Sequence, residues 1–117
     1  MIGTIKVSDI RCHAYHGCLK EERVIGAEYT VDVWIEANLS KAIQSDKLAD
    51  TIDYCSIREI VAREMKQPSN LVEHACGRIL QCLKSELRGV RQAKVRVTKI
   101  NPPLNGDVRD VSVILRG

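Results

Sequence analysis

Between Glu28 and Glu36 apolar and polar residues alternate without a break, Tyr29, Val31, Val33 and Ile35 in one phase and Glu28, Thr30, Asp32, Trp34 and Glu36 in the other. Successive side chains of a strand point to opposite faces of its sheet, so this segment is half-buried strand with one side wet or against a partner. Three further segments follow the same rule. Thr4 to Tyr15 reads as a strand with Ile5 and Val7 in one phase and Ile10, Cys12 and Ala14 in the other, and the slip at Ser8-Asp9 predicts a bulge. Ala93 to Ile100 and Val108 to Leu115 are two more, joined by an Asn-Pro-Pro-Leu-Asn-Gly connection whose prolines cannot donate to a ladder.

After Asp53 the period becomes helical. Ile57, Ile60, Val61 and Met65 share one face of a helix starting near Tyr54, with Ser56 and Glu59 at capping-box spacing. Pro68-Ser69-Asn70 restarts a second helix with the stripe Leu71, Ala75, Ile79, Leu83 and Leu87, and Asn70 and Glu73 again have capping spacing. The order ββααββ predicts an α+β fold, an antiparallel four-stranded sheet with both helices on one face. The other face is expected to carry Glu28, Asp32, Glu36, Lys94 and Arg96. A bare polar face and two edge strands invite closure by symmetric copies. The loop HGCLKEERVIG, bounded by Gly17 and Gly26, is too long for a tight turn and is a place for function.

The 117 residues suffice for one domain, expected to span 1–117, with a core poor in large rings: there is no Phe, and the aromatic set is Trp34, Tyr15, Tyr29 and Tyr54. Interspersed charges, 18 basic against 15 acidic, contain no run that would serve as a nucleic-acid arm. An RNA-binding module is a remote alternative, since no Gly-x-x-Gly clamp and no aromatic strand platform is present. Five cysteines without a Cys-x-x-Cys pair, no secretory leader and no long apolar run predict a cytoplasmic protein with no membrane segment, its thiols mostly buried. His13 and His16 form His-x-x-His, a weak metal pattern, and nucleotide-binding glycine loops are absent.

One residue breaks the alternation. In Lys94-Val-Arg-Val-Thr-Lys99 the next inward position after Val95 and Val97 is Lys99. A strand-end lysine can snorkel to water. In a partly dry pocket, though, its proton affinity is tunable by burial and a neighbouring carboxylate, as a general acid/base requires. Tyr54 at a helix entry is a hydrophobic staple or a proton donor, Glu73 in a first turn is a cap or a ligand, and Glu22 lies in a charged loop.

Tyr15-His16-Gly17, Glu22, Ile25-Gly26, Ser45-Asp46, Asp50-Thr51-Ile52-Asp53-Tyr54, Leu71-Val72-Glu73-His74 and Thr98-Lys99-Ile100-Asn101-Pro102-Pro103, in this order, resemble the dihydroneopterin aldolase family. The resemblance runs almost end to end. It implies a tunnelling fold whose subunits ring a barrel as a homo-oligomer, a tetrameric ring or an octamer, with active sites between neighbours. It also implies folate biosynthesis: a small-molecule pterin substrate, dihydroneopterin, is split into 6-hydroxymethyl-dihydropterin and glycolaldehyde, with epimerisation at C2′ as a side activity. Carried over by residue, Lys99 is the acid/base group, Tyr54 contacts substrate and transfers protons, Glu73 anchors the pterin beside Val72, and Glu22 is a further binding acid. Ala27 and Cys55 depart from the family pattern without removing a proposed functional group. The imine of the dihydropterin can accept the electrons of the broken bond, so no Schiff base is expected; without a convincing ligand cluster no metal is expected, and no cofactor either. A sister enzyme, dihydroneopterin triphosphate epimerase, is the nearer alternative.

Overall fold

The computed structural model describes residues 1–117. Strands β1 (Ile2–Ala14), β2 (Ala27–Asn38), β3 (Gln92–Ile100) and β4 (Asp110–Arg116) form one antiparallel sheet in the order β1-β2-β3-β4. The α+β layer pair is as the sequence predicts. Val31, Val33 and Ile35 of β2 are fully buried with Val95 and Val97 of β3, each burial stabilising the fold by about 1.5–3 kcal/mol. Over this face lie the long helices α3 (Tyr54–Met65) and α4 (Val72–Glu86), which bury Ile57, Ile60, Val61 and Met65 and Ala75, Cys76, Ile79 and Leu83 respectively.

The predicted bulge is present: the β1–β2 register shifts between Val7 and Ile10, and Asp9 takes a positive φ of 54°. Its N–H donates to Asp32 at 2.9 Å, and Arg96 Nε donates to the same carboxylate at 3.0 Å. Asp32, expected on the wet face, is therefore buried, because the bulge and the arginine satisfy its oxygens in place of water. On the same bare face the Trp34 ring carries Lys6, Lys94 and Arg96 at 5.0, 4.4 and 5.4 Å from its centroid.

Several local expectations need correction. The loop between β1 and β2 contains a short helix, α1 (Lys20–Val24), and β2 leads into another, α2 (Ser40–Ser45), then a single 3-10 turn at Leu48–Asp50. Neither is long enough to show a readable apolar stripe. Ser56 and Glu59 do not cap α3. Asp53 does, its side chain accepting from Cys55 N–H at 2.9 Å. Nor does Asn70 cap α4, since its side-chain oxygen is taken by Arg23. Two of the five thiols, Cys18 and Cys55, are exposed. β4 begins at Asp110, leaving Val108 outside it, and no helix is long and apolar enough to cross a membrane.

Candidate active site

The alternation of β3 does carry Lys99 inward, where it is 6% exposed. It pairs with Tyr29 across the β2–β3 ladder. Its ammonium donates to the main-chain oxygen of His16 at 2.9 Å and closes an ion pair with Glu22 of α1. The Glu22 carboxylate lies over Gly17, where a Cβ would collide with it, so glycine is what allows the loop to pass beneath. Burial works against the Lys99 charge, but Glu22 and the neighbouring Tyr29 outweigh it and hold the amine above its usual 10.5. At neutral pH Tyr29 is itself uncharged, its phenol pushed up by burial, so Glu22 is the effective partner. Lys99 rests as an ammonium, with one N–H left after two are spoken for.

The surroundings are tied in by short links. Tyr29 Oη donates to His16 O at 3.0 Å, and Arg23 Nε donates to Gly17 O at 3.0 Å. Ser69 N–H donates to His16 Nδ1 at 3.0 Å, while Gly17 N–H donates to Ser69 O at 2.9 Å. These bonds fix the β1–α1 loop against the α3–α4 loop. Gly77 faces Leu115 and Leu80 faces Gly117, so α4 starts at the Lys99 end of the sheet and runs toward the Ala93–Gly117 end. Val72 and Glu73 thus begin α4 on the same side as Lys99 and Glu22. Glu73 is exposed and makes no ion pair and no hydrogen bond to the helix N–H groups, so capping does not account for it. Its carboxylate is unspent.

Tyr54 is elsewhere. It is 61% exposed and lines an open groove of about 430 Å³ with Ile5, Leu39, Ile43 and Leu48, and a neighbouring one with Val7 and Ser8. Ile5 and Val7 pair with Ile35 and Val33, four to six β2 residues from Tyr29, or about 14–20 Å at the rise of a strand. The chain brings Lys99, Glu22, Val72 and Glu73 to one end and leaves Tyr54 toward the other.

Sequence reasoning missed Tyr29 and Ser69, and read His16 as half of a metal pattern and as one mark of the resemblance, without a role. No spacing signal marks them, because Tyr29 looks like any inward strand residue and Ser69 like a turn. His13 and His16 diverge: His13 is exposed, bonded to Glu28 at 2.6 Å and Ile25 O at 2.9 Å, whereas His16 is buried and bonded to Ser69.

The family model for dihydroneopterin aldolase matches residues 5–116. Among curated relatives, the dihydroneopterin aldolase of Staphylococcus epidermidis is 36% identical over 110 residues, covering 93% of this chain and 91% of that protein. That of Bacillus subtilis is 32% identical over 110 residues, covering 93% and 92%. Of solved structures, Escherichia coli dihydroneopterin aldolase in complex with neopterin superposes with a TM-score of 0.89 at 19% identity, over 98% of each chain. Burkholderia thailendensis dihydroneopterin aldolase bound to guanine gives 0.79 at 19% identity, over 99% of this chain and 90% of that one. These last two establish likeness of fold.

Proposed function

Because the chain belongs to the dihydroneopterin aldolase family, enzymes of folate biosynthesis, we propose that Lys99 and Glu22 of one copy and Tyr54 of a neighbour complete a site that cleaves 7,8-dihydroneopterin. The observation that carries this reading is the buried Lys99–Glu22 pair at the end of the sheet where α4 begins with the free carboxylate of Glu73. A pterin offers its ring N3–H and 2-amino group as adjacent donors, and a carboxylate accepts both at once. Neopterin and guanine, the ligands named for two structural neighbours, share that donor pair, which supports Glu73 as the anchor, with Val72 beside it.

With the ring held there, the 2′-hydroxyl gives its proton to a solvent water, which later returns it to Tyr54, the C1′–C2′ electrons flow into the ring imine, and glycolaldehyde leaves. The ring nitrogen takes a proton from the Lys99 ammonium. In the second half C1′ is protonated, with Tyr54 as donor, and the ring proton returns to Lys99, giving 6-hydroxymethyl-7,8-dihydropterin. The proton lost by the 2′-hydroxyl equals the one gained by C1′, so no co-reactant enters the balance. Re-addition of glycolaldehyde to the other face would epimerise C2′. Assembly supplies the missing tyrosine: one domain spanning 1–117, ringed in copies in the cytoplasm, would put the Tyr54 end of one against the Lys99 end of the next.

The deciding experiment incubates the purified assembly with 7,8-dihydroneopterin and assays glycolaldehyde. Release in equal amount with the hydroxymethyl product is expected. Epimer without glycolaldehyde would point to the sister epimerase, and no turnover of a folded assembly would overturn the reading.

A further inference from the structure

His16 has no part in the chemistry above, yet its main-chain oxygen takes one of the two polar contacts of the Lys99 ammonium, the other being Glu22. Its main-chain oxygen accepts from Lys99 Nζ at 2.9 Å and from Tyr29 Oη at 3.0 Å. Its ring is 1% exposed and stands edge-on to the Tyr29 ring, the centroids 5.3 Å apart. Nδ1 accepts from the Ser69 N–H at 3.0 Å, which requires an unprotonated Nδ1 and places the ring hydrogen on Nε2. Nε2 is buried without a hydrogen-bond partner, an arrangement whose cost demands a return elsewhere.

Resting on the proposed role of Lys99, we propose that His16 is the positioning residue of that lysine: its neutral ring, fastened to Ser69, locks the main-chain oxygen that receives the ammonium. The residue lies just past the end of β1, where the backbone has left the sheet ladder, so without the ring contact that peptide would be held only by the Gly17–Ser69 hydrogen bond and by the Tyr29 hydroxyl that shares the oxygen with Lys99. Glu22 supplies the charge that keeps Lys99 protonated, and His16 supplies the direction in which its remaining N–H points. Arg78, Lys99 and Arg23 face the ring with positive charge, and with burial they favour the uncharged ring that this acceptor role needs.

The wild-type assembly provides the first test, by nitrogen-15 spectroscopy of its histidines. His16 is expected to show a bare Nδ1 and a protonated Nε2 throughout pH 5–9, and a ring that exchanges tautomers or protonates near pH 6.5 overturns the assignment. Two variants provide the second. His16→Asn keeps an acceptor close to the place of Nδ1, whereas His16→Ala removes it. In His16→Ala the Lys99 ε-carbon signal should move toward those of solvent lysines and single-turnover cleavage should fall by roughly 10²-fold, the scale of a misplaced catalytic group. Binding of the pterin product should stay within a few-fold, and His16→Asn should recover most of both losses. An assembled His16→Ala with an unmoved Lys99 signal and wild-type rate sinks the proposal, as does an assembled His16→Asn as slow as Lys99→Ala. If Lys99→Ala itself cleaves at the wild-type rate, the lysine's catalytic role fails instead. The carbon signal still reads whether His16 positions it.

Discussion

The Lys99 ammonium and the Glu22 carboxylate close an ion pair in which the lysine is nearly buried and the glutamate 15% exposed. One partner alone would be an uncompensated charge in a poorly hydrated place, which is why both residues enter the same predictions.

Lys99→Ala should lower single-turnover cleavage by roughly two to four powers of ten, the usual contribution of general acid/base catalysis. Binding of the hydroxymethyl product, measured by calorimetry, should change little because Glu73 is untouched. A lysine that merely snorkels would leave the rate intact.

Glu22→Gln removes what opposes burial, so the Lys99 amine should titrate lower in the variant than in the wild type. The sign for stability follows. A folded-state pKa raised above the unfolded value contributes stability that is full below about 10.4 and is lost as pH rises through the higher folded value. Tyr29, also raised, loses stability over a similar window. Urea unfolding from pH 9 to 11.5 should therefore show a decline in the wild type, shallower in Glu22→Gln by the share that belongs to Lys99.

His16 sets the acid side. Burial, with Arg78, Lys99 and Arg23, lowers its ring to about 4 against 6.5 in an ordinary histidine. The unfolded chain takes up this proton first, so stability should fall as pH drops from about 6.5 toward 4, and thermal melts of His16→Asn should lack that share of the slope. His13, raised by its hydrogen bonds to Glu28 and Ile25, slopes the opposite way and stays in both proteins.

Glu73→Gln should weaken product binding more than it slows the single-turnover step at saturation, because an amide no longer offers two equivalent charged acceptors to adjacent donors. Equal loss in both would mean that the carboxylate acts in the transition state as well.

If Tyr54 and Lys99 meet only across a subunit boundary, two dead variants should repair each other. Unfolding and reassembling Tyr54→Phe with Lys99→Ala in equal amounts leaves roughly a quarter of the sites with both native groups, given random mixing. Activity near that fraction of wild type is expected. A mixture as inactive as its components contradicts a shared site.

The β2 alternation and the helical stripes were legible because each face meets one uniform environment, and the same rule exposed Lys99 as the inward exception. What remained hidden was set by partners far away in sequence. Asp32 is buried because the Asp9 N–H and Arg96 reach it, and Ser56 loses the cap to Asp53 because α3, starting at Tyr54 as expected, already contains Ser56. The resemblance pointed to Glu22, Glu73 and Lys99 as candidates and to a site shared between neighbours, but not to the pairing of Glu22 with Lys99.

The order of strands in the sheet has a consequence for how the chain is made. β1 and β2 emerge first and can pair as a hairpin, but the inward side of β2 is covered only when α3, α4 and β3 arrive, and the pocket floor needs β3. Such late, non-local pairing is slow, and the waiting hairpin presents Val31, Val33 and Ile35 to whatever is near. Synthesis therefore passes through an interval in which the chain is sticky but has no chemistry, and escape from aggregation depends on how quickly the second half overtakes it.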